Sequence, residues 1–288
     1  RTSISGVLIG ADRMQLGTDL DVGGDIQAQG NISNWGGGPT VDGDVISGGS
    51  VNLTDESGVA GDILDSGTSP PGSPTMPTGY TPVDLPAETS FSAGNDNVTL
   101  GSNESLALAP GSYRNLTMNA GSTLTLSAGD YVLRKWQAWG AEQVLNLDVS
   151  QGNINIYLEK GADLGNMAIQ LNGVDLDDVG ETELSAADKV NLETHGDFTL
   201  YGSGSEWAGS IYAPDKRIEF SNSDTTVVGN LLGKQLYMGK NGSIYGLQGV
   251  GPTPPGGVVD APAPQFLLQV SLLVLAAAAW KRPPHYSH

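Results

Sequence analysis

The sequence predicts an all-β fold, a right-handed parallel β-helix (β-solenoid) with coils of about 18–20 residues. The phrases VGGDI, VDGDV and VAGDI, at 22–26, 41–45 and 59–63, repeat at intervals of 19 and 18 residues. Such a period is typical of solenoids, in which each repeat forms one coil. Glycine supplies 41 of the 288 residues, which suits many tight turns. Cysteine is absent, so disulfides and thiolate metal sites are excluded.

Residues 1–66 are predicted to form N-terminal solenoid coils. The phrases GNIS at 30–33 and GSVNL at 49–53 keep the same period, and glycine opens each short strand phrase. Equivalent side chains of stacked coils lie about 4.8 Å apart. We expect six β-branched residues to point inward and stack in register: Val22, Ile26, Val41, Val45, Val59 and Ile63.

Residues 67–90 are predicted to be a loop or linker, because the stretch 68–86 holds six prolines and proline cannot donate to a sheet ladder. Three coils make only a marginal solenoid by themselves. We therefore expect the N-terminal coils to stack on the later part of the chain.

Residues 91–248 are predicted to form the main solenoid, since apolar residues alternate with Thr or Asn around Leu124 and Ile154. Ile211 and Leu231 are 20 residues apart, again close to one coil. The acidic stretch 174–197 interrupts the pattern and predicts a lateral loop with a short helix near 185–190.

Residues 249–264 read as a Pro/Gly linker and residues 265–288 as a short hydrophobic C-terminal helix. The apolar run 266–280 would span about 22 Å as a helix, less than a hydrocarbon core of about 30 Å. Because this run is apolar nearly all round, a membrane-inserting tail is favoured over a helix that caps the solenoid. Membrane contact is expected only through this tail.

The charge is strongly acidic, with 32 Asp and Glu against 13 Lys and Arg and a net charge of −19. Nucleic-acid binding needs a basic surface that displaces counterions from phosphates, so no nucleic-acid partner is expected. An acidic chain of this kind suits a solvated protein outside the cell that binds cations.

The repeated phrases each carry one carboxylate, at Asp25, Asp44 and Asp62. In a regular stack these side chains would form a column in which neighbours repel by roughly 1 kcal/mol. Two arrangements relieve this repulsion: turns in which each carboxylate accepts backbone N–H groups, or shared hard cations such as Ca²⁺. The three aspartates are the candidate metal ligands and calcium the candidate cofactor.

An enzyme is the alternative, because parallel β-helices include pectin-degrading enzymes. Asp177 and Asp178, then His195, then Arg217 resemble the motif order of polygalacturonases, in which carboxylates share acid and base roles. The Asn-Thr-Asp that opens the series is missing here. Adjacent aspartates on a strand also point to opposite faces. The leading interpretation therefore assigns no catalytic residues.

The C-terminal pattern places Pro262 and Pro264 before the apolar run, with Lys281 and Arg282 after it. This resembles the PEP-CTERM sorting signal of Gram-negative bacteria, with Ala263 in place of the central Glu. The resemblance implies an exosortase-like processing enzyme as a partner and a location at the cell surface.

The body carries LAPGSYRNLTMNAGSTLTLSAGDYVL at 108–133, and IYAP at 211–214 followed by GNLLGK. These residues resemble a family of uncharacterised β-helical surface domains, some of which follow pilus-assembly-like N-terminal regions. The resemblance implies architecture and location and leaves chemistry open.

The function predicted from these patterns is a non-enzymatic structural or adhesive protein of the cell surface or extracellular matrix. Solenoid ends expose strand edges, so a homo-oligomer or filament and a surface polysaccharide are the expected partners. The alternatives are a carbohydrate-active β-helix enzyme, polygalacturonase- or lyase-like, and a carbohydrate-binding module.

Overall fold

The computed structural model describes residues 6–66, 88–176, 185–221 and 223–246. These ranges form a parallel β-solenoid of about ten turns, as the sequence predicts. Within them, helix is confined to a single turn at 185–187, in the acidic insertion where a short helix is expected. The predicted C-terminal helix lies outside the described residues.

Strands make up most of the described chain. Residues 6–66 form β1 (Gly6–Leu16), β2 (Asp21–Val22), β3 (Gly24–Ala28), β4 (Asn31–Asn34), β5 (Thr40–Val41), β6 (Val45–Ser47), β7 (Val51–Asn52) and β8 (Ile63–Asp65). Residues 88–176 form β9 (Val98–Leu100), β10 (Ser105–Leu108), β11 (Gly111–Met118), β12 (Thr123–Ser127), β13 (Gly129–Ala138), β14 (Gln143–Asp148), β15 (Ile154–Leu158), β16 (Ala162–Leu164), β17 (Met167–Leu171) and β18 (Val174–Asp175). The last part forms β19 (Val190–Thr194), β20 (Phe198–Leu200), β21 (Glu206–Ala208), β22 (Ser210–Phe220), β23 (Thr226–Val228), β24 (Leu231–Met238) and β25 (Ser243–Tyr245).

Each turn contributes strand segments to three faces. Face 1 consists of β3, β6, β8, β15, β19 and the first halves of β1, β11, β13, β22 and β24. Face 2 consists of β4, β7, β9, β16, β20 and the second halves of the same long strands. Face 3 consists of two five-stranded sheets, β10-β12-β14-β17-β18 and β21-β23-β25-β2-β5.

The core is a stack of inward side chains, one layer from each turn. The predicted register is confirmed: Ile26 lies opposite Val45, which lies opposite Ile63, and Val22 lies opposite Val41. Four of the six predicted inward residues are at most 1% exposed, whereas Val59 and Ile63 are only partly buried. Those two lie in the last turns of the stack, and within the described ranges no further strand pairs with β8 beyond them.

The N-terminal coils stack on the C-terminal end of the later coils, through a seam between β1 and β24. Leu8 lies opposite Leu231 and Met14 opposite Leu236, and on face 3 β2 pairs with β25. Since Leu8 and Met14 are fully buried, the seam continues one core.

The sequence around the seam reads as three successive coils. GSIYAPDKRIEF (209–220), GNLLGKQLYM (229–238) and GVLIGADRMQL (6–16) align residue by residue at their first strand. A Cβ on Gly229 would lie 1.9 Å from the carbonyl oxygen of Gly209, so this corner requires glycine. Gly6 supplies that glycine in the next coil.

β8 lies at one end of the stack and β9 near the other. Residues 88–93 lie against face 1. The backbone N–H and hydroxyl of Thr89 both donate to Glu193 at 2.5 Å, and the Ala93 N–H donates to Glu159 at 2.7 Å. Phe91 packs against Tyr157 with ring centroids 5.3 Å apart.

A circular permutant tests the seam. Tyr245 is joined directly to Gly6, and the chain is opened within the Pro-rich stretch 68–86. The permutant should fold with a melting temperature close to that of the parent, because Gly6 then follows Tyr245 as Gly229 follows Val228 one turn earlier. Circular dichroism and thermal unfolding measure the outcome.

The matched control joins Tyr245 to Val7 and omits Gly6. A one-residue slip would turn Leu8 away from the core, so this variant should melt more than about 4 °C below the permutant. Equal melting temperatures for the two permutants would contradict the seam.

Candidate functional surface

The repeated aspartates form a hydrogen-bonded ladder on the outside of face 1. Asp25 Oδ1 accepts the N–H of Asp44 at 2.9 Å, and Asp44 Oδ1 accepts the N–H of Asp62 at 2.8 Å. A Cβ on Gly43 or Gly61 would lie 2.1 or 2.3 Å from the accepting oxygen. The Gly-Asp phrase is therefore one unit, in which the glycine makes room for the carboxylate of the preceding coil.

Two asparagine side chains also accept a backbone N–H group of the next coil, one just after face 1 and one at the end of face 2. Asn31 Oδ1 accepts the N–H of Ser50 at 2.9 Å, and Asn34 Oδ1 accepts the N–H of Thr54 at 2.7 Å. Among the described residues, no group of three or more His, Asp or Glu side chains could hold a metal ion. The aspartate column thus has a structural use as a backbone acceptor, and its use as a calcium site stays a prediction.

Asp25, the first member of this ladder, is partly buried. Burial raises the pKa of its carboxyl group; the hydrogen bond from the Asp44 N–H opposes that rise and the charge of the Asp44 carboxylate adds to it. Protonation of Asp25 therefore favours the folded state relative to the unfolded chain.

The residues of the catalytic alternative have other partners. His195 Nε2 lies 3.2 Å from Glu193 Oε1, and the ring of Phe91 covers the imidazole at 4.2 Å. Arg217 pairs with Glu219 at 3.1 Å and with Asp197 at 3.8 Å. Asp177 and Asp178 lie outside the described residues, as do the tail residues Pro262, Pro264, Lys281 and Arg282.

Face 1 is covered. In the six coils from β19 to β6, its outward side chains are at most 7% exposed: Glu193, Tyr212, Leu232, Ile9, Gln27 and Ile46. Burial, with added repulsion from the Glu193 and Glu88 carboxylates, raises the pKa of Tyr212. This face is therefore not available to a large ligand.

Face 2 is open along its length. Its outward side chains are polar and partly or fully exposed, including Thr99, Thr117, Gln137, Thr199 and Gln15. At the seam, the Arg13 guanidinium donates a hydrogen bond to the Tyr237 hydroxyl, and the guanidinium groups of Arg13 and Arg217 lie 5.4 and 5.7 Å from the Tyr237 ring centroid.

Three aromatic residues occupy one equivalent position, the first residue after the face 2 strand. We call this edge of face 2 the aromatic corner: Trp139, Tyr201 and Trp35. Each backbone N–H donates to the last strand residue of the preceding coil, Met118, Leu164 and Leu16 respectively. Tyr201 lies two turns from Trp139 and four turns from Trp35 along the stack.

Two members of the aromatic corner are the most exposed large hydrophobic residues in the described ranges. Trp35 and Trp139 are each 47% exposed, and among the described residues only Val174 is a further large hydrophobic residue of that class. Tyr201 hydrogen-bonds the Ala138 carbonyl at 3.2 Å, and Lys240 lies 5.6 Å from the ring centroid of Trp35.

Polar groups line the turns between the aromatic residues. The Ser203 hydroxyl lies 3.2 Å from Asp224 Oδ2, and Asn241 donates to Asp224 Oδ1 at 3.3 Å. Sequence reasoning missed this corner. The signal was a tryptophan directly before glycine at the end of a strand phrase, in SNWGG and QAWG.

Comparison with known families gives one match. A family model described as a domain of unknown function (DUF7305) matches residues 87–245, more than half of the chain. No curated protein matches the sequence.

Solved structures resemble the chain in fold alone. The DUF3494 domain of an ice-binding protein from Shewanella frigidimarina is 13% identical, with 84% of this chain and 93% of that chain covered and a TM-score of 0.36. An ice-binding protein from an Arctic yeast is 13% identical, with 90% and 95% covered and a TM-score of 0.34. In the described ranges, no helix is long and apolar enough to cross a membrane.

Replacement of Asp25 by Asn tests the ladder. Asn keeps an oxygen for the Asp44 N–H and removes the charge that burial disfavours. At pH 7 the variant should melt about 2 °C above the parent, the shift that roughly 1 kcal/mol produces in a domain of this size.

The sign of the pH dependence follows from the raised pKa of Asp25. Its stabilising protonated form is present below the unfolded pKa and is lost as the pH rises, so the advantage of Asp25→Asn should shrink below about pH 4. The control is Asp42→Asn, which removes one charge from an exposed side chain. An equal gain in both variants, at all pH values, would mean that net charge alone explains the effect.

Calcium binding by the aspartate column is a separate prediction. If neighbouring carboxylates share Ca²⁺, millimolar calcium should raise the melting temperature of the parent, and Asp44→Asn should reduce that gain more than Asp42→Asn does. Magnesium serves as the ionic-strength control. An unchanged melting temperature in calcium would leave the column with its backbone role alone.

Proposed function

The chain belongs to the family described as a domain of unknown function (DUF7305), and we propose that it is a non-enzymatic structural and adhesive protein of the bacterial cell surface or extracellular matrix. In this proposal the solenoid is a rigid support, and the aromatic corner holds polysaccharide. The observation that carries the proposal is the pair of half-exposed tryptophans at equivalent positions of the stack.

Exposed tryptophans on a rigid scaffold need a reason. Tryptophan is highly buried on average, and the other tryptophans of the described ranges include the fully buried Trp136 and Trp207. A flat indole offers a large amphipathic contact surface with little loss of conformational entropy on binding. A sugar ring presents C–H groups on one face and hydroxyl groups at its edge, so it complements an indole flanked by polar side chains.

The spacing along the corner supports an extended ligand. Two turns separate Trp139 from Tyr201, which is about 10 Å at about 4.8 Å per turn. Gly165 occupies the equivalent position between them, and a Cβ there would lie 3.4 Å from the Tyr201 ring. The small residue makes room for the Tyr201 side chain, whose hydroxyl reaches back to the carbonyl of Ala138 beside Trp139. The two rings thus border one continuous edge, along which a chain of sugars could run.

Self-assembly through the solenoid ends belongs to the same proposal. One end presents the edge strands β9 and β10 with the partly buried Val98 and Leu106, and the other presents β8 with the partly buried Ile63. Unpaired strand edges pair readily with other strands. Because the two ends differ, head-to-tail contact would produce an open filament and not a closed dimer.

Processing of the tail belongs to the same proposal. The pattern of Pro262 and Pro264 before the apolar run and Lys281 and Arg282 after it would be recognised by an exosortase-like enzyme, which removes the tail as the protein reaches the cell surface.

The double variant Trp35→Ala/Trp139→Ala tests the proposal. Polygalacturonate and its fully methyl-esterified form serve as ligands, and affinity electrophoresis or calorimetry measures the dissociation constants. The double variant should bind both forms roughly tenfold or more weakly, because truncated aromatic anchors commonly cost about 2 kcal/mol. Its melting temperature should stay near that of the parent, since both indoles are half exposed.

The control is Val174→Ala, which truncates an exposed apolar side chain away from the aromatic corner. Unchanged affinity in the tryptophan variant would reject the aromatic corner as the binding site. New reducing ends or unsaturated products during incubation would reject the non-enzymatic function and favour the carbohydrate-active enzyme.

A further inference from the structure

We propose that a row of basic side chains along the opposite edge of face 2 binds a linear acidic polysaccharide. The row lies in the turns between face 1 and face 2 and consists of Arg114, Arg134, Lys160, Lys216 and Lys234. The carbohydrate nature of this ligand rests on the proposed function, whereas its negative charge is inferred from the row itself.

The first three members lie in three successive turns. Arg114 and Arg134 are in register, because their neighbours Tyr113 and Leu133 lie opposite each other. The Lys160 N–H donates to the Arg134 carbonyl at 2.7 Å, which places Lys160 in the next turn. All three side chains are exposed.

The last two members continue the row after one gap. Lys216 and Lys234 lie between the paired positions Ala213–Gly233 and Arg217–Gln235, in the same corner of adjacent turns. The intervening turn carries no lysine or arginine at this corner, where His195 leads into Gly196 and Asp197. The row thus extends through five of six consecutive turns.

The row lacks compensating charge in the part of the chain that the structure describes. None of its five members has a carboxylate partner within ion-pair distance there, whereas the neighbouring Lys135 pairs with Asp163 at 2.7 Å and Arg217 pairs with Glu219. Half of the ten lysines and arginines in the described ranges lie in this row. Because none of the five charges is held in an ion pair within the described ranges, all of them are available to an anionic ligand.

The spacing of the row favours a polyanion with widely spaced charges. Successive turns are about 4.8 Å apart, whereas duplex DNA carries one charge per about 1.7 Å of its axis. A hexuronate chain has one carboxylate per sugar, and its charges are correspondingly sparse. The exposed Asp215 and Asp12 interrupt or end the row and would repel a dense phosphate backbone more than a sparse carboxylate chain.

The row is also placed for a long ligand. It borders face 2, which is open, and not the covered outer side of face 1. The aromatic corner forms the other edge of the same face. Acidic chains would therefore contact the row by charge, and neutral or acidic chains would contact the aromatic corner by stacking.

The full chain and its variant Arg134→Gln/Lys160→Gln/Lys234→Gln test the inference. Dissociation constants are measured for polygalacturonate, its fully methyl-esterified form and a DNA duplex, at low and at physiological salt. The variant should bind polygalacturonate roughly tenfold more weakly, as expected for the loss of three charge contacts at partly or fully exposed side chains, and bind the ester as the parent does. Arg134→Gln alone should weaken binding more than Lys189→Gln, its matched control outside the row.

Three outcomes would overturn the inference. Equal affinity of parent and triple variant for polygalacturonate would remove the row as a site, while the proposed function would stand if the tryptophan variant still lost both ligands. Tighter binding of the DNA duplex than of polygalacturonate would assign the row to nucleic acid. An equal loss for the ester and the acid, with an unchanged melting temperature, would assign the row to uncharged sugar contacts and so contradict the inference. If the melting temperature of the triple variant also fell, the comparison of Arg134→Gln with Lys189→Gln would decide, and equal affinities of those two single variants would contradict the inference.

Discussion

Parallel pairing between β1 and β24 is the interaction on which the rest of the structure depends. It joins segments that are more than 200 residues apart in the sequence, for example Leu8 with Leu231. The closure entropy of so long a loop grows only slowly with its length, whereas the seam covers two strand edges and completes a continuous core. Without it, the later coils would expose β24 and β25, and the N-terminal coils would be a marginal stack.

Repetition in this protein has two different uses. The Gly-Asp phrase recurs because each carboxylate binds the N–H of the next coil above a glycine that leaves space for it, as between Asp25, Gly43 and Asp44. This repetition maintains the fold. The aromatic groups proposed to bind polysaccharide recur at irregular intervals, as Trp35 and Trp139 do, because they do not contribute to the stacking of coils.

The three faces have different solvent access, which decides where a ligand could bind. Thr89 and Phe91 lie on face 1, next to the fully buried Glu193. Face 2 remains open between the aromatic corner and the row of basic side chains. The adhesion proposed above would use these two edges of face 2, whereas His195 and Arg217 are engaged by the neighbouring Glu193 and Glu219.

The sequence pattern by itself determined the solenoid class, the coil length and the inward residues Val22, Ile26 and Val45. The reason is that period-two alternation is visible within one coil and that equivalent positions recur from each coil to the next. Only the tertiary structure decided the order of the coils, the covering of face 1 and the two edges of face 2. The physical reason is that turn lengths vary: Asn155 pairs with Asn191, 36 residues on, where the acidic insertion lengthens the coil. Trp139 and Tyr201 therefore come to equivalent positions of the stack only through backbone pairing, and no fixed interval in the sequence reveals this equivalence.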